Sequence, residues 1–185
     1  MKKFTLLSLT SLLILLSACI GTDKDKKVRG STADTGHLAI SSDQSTAGAG
    51  VPIPGLDTMK ANNSILLTAN DRMQYSDTLF KVKASEKVNL RFQNIGKMPK
   101  NSMGHNFVLL AQGTDFANFA TEAIKARDND YIPAALSSSV IAHTKLTGPG
   151  ETDNISFNLP VKGVYDFLCS FPGHYGTMRG KLVAE

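Results

Sequence analysis

The sequence predicts an all-β sandwich or barrel interrupted by a single helix. Short runs of alternating apolar and polar residues recur from residue 62 onward, turn-forming residues separate them, and only one stretch carries helical spacing. The first run is Ser64-Ile-Leu-Leu-Thr68. Leu79-Phe-Lys-Val-Lys83 and Val88-Asn-Leu-Arg-Phe92 alternate as strands with one buried face do. Asn106 to Leu110, Asn154 to Leu159, Gly163 to Leu168 and Arg179 to Val183 complete the set, and many short strands of this kind build sandwiches and barrels. The exception is Phe116 to Arg127, where Phe116, Phe119, Ala120, Ala123, Ile124 and Arg127 fit helical spacing. No internal repeat is apparent.

A chain of 185 residues accommodates one domain plus an extension. With 42% apolar residues against 19% charged, it can bury a core of useful size, which excludes bulk disorder. The net charge of +4 includes Lys2 and Lys3, which sit in a segment read below as removed; without them 18 basic residues face 16 acidic ones. Lys24 to Lys27 is the one basic run, and aromatic residues do not interleave with basic ones, so nucleic acid is not an expected partner.

Residues 1–18 read as an export signal, with Lys2 and Lys3 ahead of the apolar stretch Phe4 to Leu16 and small residues after it. A transmembrane anchor is the competing reading. Spanning takes about 20 apolar residues, and this run is shorter and broken by Thr5, Ser8, Thr10 and Ser11. Leu16-Ser17-Ala18-Cys19 resembles the lipobox of bacterial lipoproteins. That resemblance implies a Cys19 that becomes the acylated N-terminus, each buried methylene contributing about 0.8 kcal/mol of membrane affinity. Ile20, standing where an aspartate would retain such a protein elsewhere, implies the outer membrane facing the periplasm, with the cell surface as the alternative. Residues 19–61 carry Lys24 to Lys27, Gly48 to Gly55 and many Ser, Thr, Gly and Ala, without periodicity; they read as a flexible tether with a root-mean-square reach of about 35 Å. His37 within it reads as a solvated residue. With Cys19 acylated, Cys169 has no partner for an internal disulfide.

The neighbours of Cys169 give it a different purpose. Cys169-Ser-Phe-Pro-Gly-His174-Tyr-Gly-Thr-Met178 places a thiolate, an imidazole and a thioether in one loop between two expected strands. Upstream, Met103-Gly104-His105-Asn106 supplies a second imidazole at the mouth of another strand. Two His, one Cys and a Met form the ligand set of blue-copper electron-transfer sites. Zinc competes for such residues, but structural zinc takes four strong N or S donors and methionine serves it poorly. Taken singly, His105 reads as a structural histidine and Met178 as core filling; their joint spacing favours one copper ion cycling between Cu(I) and Cu(II).

Over residues 63 to 184 the chain resembles the azurin family of cupredoxins. Three segments carry the resemblance, Pro99-Lys-Asn-Ser-Met-Gly-His-Asn106, Val140-Ile-Ala-His-Thr-Lys-Leu-Thr-Gly148 and Cys169-Ser-Phe-Pro-Gly-His174. It implies an eight-stranded Greek-key sandwich with one helical flap, occupying residues 62–185, with copper at one pole. It also implies that His105, Cys169 and His174 are equatorial ligands, that Met178 is a long axial ligand and that the Gly104 carbonyl faces copper from the other side. Asn106, by the same resemblance, ties the two ligand loops together, a support that fixes the thiolate. The chain departs from the family in several places. Asn63 and the Ser85-Glu86 pair stand where a disulfide is expected, Asn94 replaces a histidine associated with a pH switch, and Phe107 replaces a core tryptophan. His143 lies in its own matching motif, where it reads as a surface residue without a copper role.

A ligand set acceptable to both copper states needs little movement when an electron arrives, so transfer is fast. The expected portal is the edge of His174 within an apolar collar of Met103, Phe171, Pro172 and Gly173, a patch suited to brief docking with redox proteins such as cytochromes or a reductase. A copper enzyme with a second metal would need more than four histidines and a histidine beside the cysteine, where Leu168 and Ser170 stand. A copper carrier or store that exchanges its ion is the remaining alternative.

Overall fold

The computed structural model describes residues 52–185, so the expected signal segment, Cys19 and most of the expected tether lie outside the described residues. At the end of that tether stretch, Leu56–Thr58 forms one 3-10 turn. The strands follow as β1 (Ser64–Asn70), β2 (Gln74–Tyr75), β3 (Leu79–Val82), β4 (Lys87–Asn94), β5 (Val108–Leu110), β6 (Val140–His143), β7 (Thr152–Asn158), β8 (Gly163–Leu168) and β9 (Arg179–Ala184). Among the described residues these nine exceed the expected eight, and β2, only two residues long, is too short to leave a periodic signal.

Two sheets pack face to face. One has the order β2-β1-β4-β7 and the other β3-β9-β8-β5-β6; β1 runs parallel to β4 and β3 to β9, and the remaining pairs are antiparallel. The alternation read in the sequence is what fills the space between them. In β4 the inward residues Val88, Leu90 and Phe92 are buried while Lys87, Asn89 and Arg91 are exposed. They meet Leu67, Phe107, Leu109, Phe157, Phe167 and Leu182, and each such side chain contributes about 1.5–3 kcal/mol by leaving water.

Strand β5 does not alternate, because both of its faces are covered. Leu109 points into the sandwich, while Val108 and Leu110 join Phe119, Ile132 and Leu168 in a second apolar cluster. Phe119 comes from α2 (Phe116–Ala123), whose N-terminus is capped by the Asp115 carboxylate accepting from the N–H groups of Ala117 and Asn118. The helix stops short of the expected Arg127. Its buried face is Phe119, Ala120 and Ala123; Ile124 is exposed, and Arg127–Asn129 makes a separate 3-10 turn. A second helix, α1 (Lys100–Met103), is a single turn set by Pro99, whose carbonyl accepts from the N–H groups of Ser102 and Met103.

The strand order fixes where the chemistry falls. Strands β9, β8 and β5 are neighbours and successively antiparallel. The residues just before β5, just after β8 and just before β9 therefore meet at one pole. Those residues are His105, Cys169 and Met178.

Candidate metal centre

His105, Cys169 and His174 are all buried and each offers a donor atom within 4.8 Å of the others. Cys169 Sγ lies 3.6 Å from His174 Nδ1, and the two imidazoles are tilted at 39° with centroids 5.0 Å apart. Three donors bound to one ion at about 2.0–2.3 Å would stand roughly 3.5–4 Å apart, so the cluster has the dimensions of a coordination shell. Both ring nitrogens of His105 are buried and neither makes a well-formed hydrogen bond; the Asn70 carbonyl faces the ring, which leaves a second nitrogen without a protein partner. A buried polar atom without a partner is costly, and a metal ion satisfies it. The residues fit copper.

The electrostatics agree with that assignment. Burial pushes the Cys169 thiol up to about 12, with the backbone N–H groups of Asn106 and Phe171 pulling the other way. Burial, then the nearby His105, lowers His174 to about 4; burial likewise lowers His105, partly offset by the Asn70 carbonyl and Asp71. The pole thus keeps both imidazoles neutral, the form that binds a metal, and leaves the thiol to be ionised by a cation seated beside it.

Each donor is held from more than one direction. The His105 N–H donates to the Thr147 carbonyl at 3.1 Å, and the His105 carbonyl accepts from the Thr147 N–H at 2.7 Å and its hydroxyl at 2.8 Å. Asn94, buried where the family's pH-sensitive histidine was expected, donates to the same Thr147 carbonyl at 3.0 Å and accepts from the Gly96 N–H. The Cys169 N–H donates to the Met178 carbonyl at 2.9 Å, and the Met178 N–H to the His174 carbonyl at 2.8 Å, so the ligand loop closes on itself. Met178 is fully buried. Gly104 is where a side chain cannot go, since a Cβ there would meet the Lys100 carbonyl at 2.6 Å and Leu146 at 3.0 Å.

Asn106 joins the two ligand segments. Its amide nitrogen donates to Ser170 Oγ at 2.8 Å and to the Asp130 carbonyl at 2.9 Å, and its oxygen accepts from the Ser170 N–H at 2.9 Å. The turn that presents that carbonyl is strained: Asp130 (φ 50°) and Tyr131 (φ 61°) are both left-handed, at about 1–2 kcal/mol each. Packing offsets the strain, because Tyr131 meets Phe171 edge-on at 5.1 Å and Phe171 covers the His174 ring at 4.6 Å.

The expected surface collar is only partly at the surface. Gly173 is exposed, Met103 and Pro172 are half-buried, but Phe171 is 8% and His174 only 2% exposed. Phe171 is turned inward, against Tyr131 and the His174 ring. His143 is exposed at the end of β6 and is not one of the clustered donors. Leu168 belongs to the apolar cluster under α2 and Ser170 to the Asn106 clamp, so both flanks of Cys169 have structural occupations. The sequence reading gave no role to Tyr75, Thr144, Thr147 or Ser170. Thr144 and Thr147 lie inside the Val140–Gly148 motif, which was the available signal.

A β-sandwich whose adjacent strands present two histidines and a buried cysteine at one pole defines a copper-binding protein of the blue type. The model of the copper-binding proteins of the plastocyanin/azurin family matches residues 62–185. The azurin of Pseudomonas denitrificans is 38% identical over 130 residues, 68% of this chain and 100% of its own, and that of Alcaligenes faecalis 37% over 123 residues, 64% and 94%. Among solved structures, reduced auracyanin from the photosynthetic bacterium Roseiflexus castenholzii is similar at 31% identity and a TM-score of 0.62, covering 68% of this chain and 99% of its own. An azurin from Methylomonas sp. strain J gives 35% and 0.60, covering 66% and 97%. The chain belongs to the plastocyanin/azurin family. It is a blue-copper electron-transfer protein with one copper ion at His105, Cys169 and His174, exchanging electrons with redox partners.

Proposed function

We propose that this carrier works from a membrane tether, as an exported lipoprotein acylated at Cys19 and held at the outer membrane facing the periplasm, where it passes single electrons to and from cytochromes or a reductase. In this reading Met178 and the Gly104 carbonyl would hold the ion together with His105, Cys169 and His174. Copper supplies a one-electron couple between Cu(I) and Cu(II). The protein's part is to prevent rearrangement: the buried donors are each fixed by the Thr147 and Met178 backbone contacts and by the Asn106 clamp, so neither oxidation state can draw in new ligands. The edge of His174, ringed by Met103, Pro172 and Gly173, is the electron portal.

The observation that carries the reading is the buried donor triad, in which His105 keeps a ring nitrogen without a protein partner. Its burial favours electron transfer over a copper store, because handing the ion on would require the pole to open. The structural occupations of Leu168 and Ser170 support a carrier over a multicopper enzyme. Addition of Cu(II) to the purified protein should give an intense blue absorption that is lost in Cys169→Ser; a colourless Cu(II) complex overturns the site. The lipobox supports the anchor. Mass measurement of the mature N-terminus tests it, since an acylated Cys19 is expected and an unmodified Met1 refutes it.

A further inference from the structure

Tyr75 brings a hydroxyl into an apolar cluster and sets it against the segment that carries His105. It lies in the two-residue β2, buried, with its ring edge-on to Phe92 at 6.2 Å and tilted against Phe167 at 5.7 Å. A phenylalanine would fill this volume. A buried hydroxyl without a partner costs about 1–3 kcal/mol, so its presence calls for a bond. That bond is short: Tyr75 Oη donates to the Asn106 carbonyl at 2.6 Å. Asn106 follows the ligand His105, and its side chain is the clamp on Ser170 beside Cys169.

The hairpin that carries Tyr75 touches the site elsewhere. Its turn ends at Met73, which has a left-handed φ of 54° and whose carbonyl accepts from Thr177 Oγ1 at 3.1 Å, inside the Cys169–Met178 loop. The Asp71 carboxylate in the same turn accepts from the N–H groups of Lys97 and Met98, just ahead of α1 and Gly104. One hairpin therefore bonds to Asn106, to the Cys169–Met178 loop and to the chain ahead of α1.

We propose that Tyr75 is a positioning residue of the copper centre, its hydroxyl locking the Asn106 backbone so that the Asn106 side chain can hold the two ligand loops at a fixed separation. The acceptor is an amide carbonyl, which does not take a proton from a phenol, least of all one whose pKa burial raises, so the contact is a strut and not a redox relay. The proposal rests on the copper assignment and adds a tie from outside the ligand segments.

A matched control is built into the protein. Tyr165 Oη donates to the Val161 carbonyl, also at 2.6 Å, ahead of β8 and away from the copper pole. Tyr75→Phe and Tyr165→Phe, made in the full chain, each delete one phenol-carbonyl bond and keep the ring, so both fold and both lose some stability in the copper-free form. Only Tyr75→Phe should weaken copper affinity, by about tenfold or more as loss of a support to a metal ligand does, measured by competition with a chelator. It should also shift the thiolate-copper absorption band and the copper hyperfine splitting, which a purely structural role would leave alone. Tyr75→Phe with wild-type spectra and copper affinity within twofold of wild type overturns the proposal while leaving the copper site standing. A wild-type chain that forms no blue complex overturns both.

Discussion

Replacing Asn106 by alanine tests the copper pole most directly. The side chain is fully buried and makes three hydrogen bonds, at 2.8, 2.9 and 2.9 Å. In Asn106→Ala the Ser170 N–H is left buried without an acceptor, at about 1–3 kcal/mol. The Asp130 carbonyl is half-buried and can find water, so its bond counts only for the ordinary net value of about 1 kcal/mol, as does that of the rotatable Ser170 hydroxyl. The sum is about 3–5 kcal/mol, a large fraction of the roughly 5–15 kcal/mol that holds such a domain together. At about 4 °C per kcal/mol for a domain of this size, the copper-free protein should melt some 12–20 °C lower. Urea unfolding of the copper-free chain measures this cost, and chelator competition measures copper affinity, which should fall about 10–100-fold. A loss below about 1 kcal/mol with unchanged copper affinity would refute the assignment of Asn106 as the clamp.

Gly104→Ala should cost about 1–3 kcal/mol and weaken copper binding. The backbone at Gly104 is ordinary (φ −69°), so the penalty is the clash with the Lys100 carbonyl and Leu146; an alanine variant of wild-type stability and copper affinity argues against it. Asn63→Ala should lower stability by about 1–2 kcal/mol in denaturant unfolding and leave the visible spectrum unchanged. Its amide accepts from the Lys83 N–H at 2.8 Å and donates to the Lys83 and Lys87 carbonyls at 3.3 and 3.4 Å, and a spectral change would show coupling that these bonds do not carry. Glu151 is held below the usual carboxylate range by the Gly148 N–H and by Lys100. Since its folded pKa is depressed, its stabilisation is present at neutral pH and disappears as pH falls through that lowered pKa. Glu151→Gln should therefore be less stable than wild type by under about 1 kcal/mol at pH 7, Glu151 being exposed, with the gap closing below about pH 4. A gap independent of pH would refute the ionic contribution.

What the sequence made legible was whatever has a local signature. Alternation in Val88–Phe92 marks a strand, the spacing of Phe119 and Ala123 marks a helix face, and the copper donors are rare residue types whose clustering is improbable by chance. The uninterrupted Phe107–Leu110 run also made sense once α2 was seen to cover its outer face. The unread features share a different property. Tyr75 bonds a carbonyl 31 positions away, Thr147 one 42 positions away, and Asn106 reaches 24 positions to the Asp130 carbonyl. A backbone carbonyl carries no residue identity, so nothing in the letters marks it as a partner, and α1 and β2 are too short to show a period. Asn106 became visible only through resemblance to the azurins.

The same bonds explain how the fold dispenses with the family's expected disulfide. Asn63 precedes β1, while Asn70 at the other end of that strand stands at the copper pole, so the Asn63 contacts lie about 23 Å of strand away from copper. A disulfide contributes about 2–4 kcal/mol chiefly by restricting the unfolded chain. A side-chain amide pinning the 83–87 turn recovers part of that in the folded state, and it does so far from the donors. The copper pole is held separately by the Asn106, Thr147 and Tyr75 bonds, each ending on a ligand segment. Global stability and metal geometry are therefore set by different residues at opposite ends of the sandwich, which is why loss of the bridge at one end need not disturb electron transfer at the other.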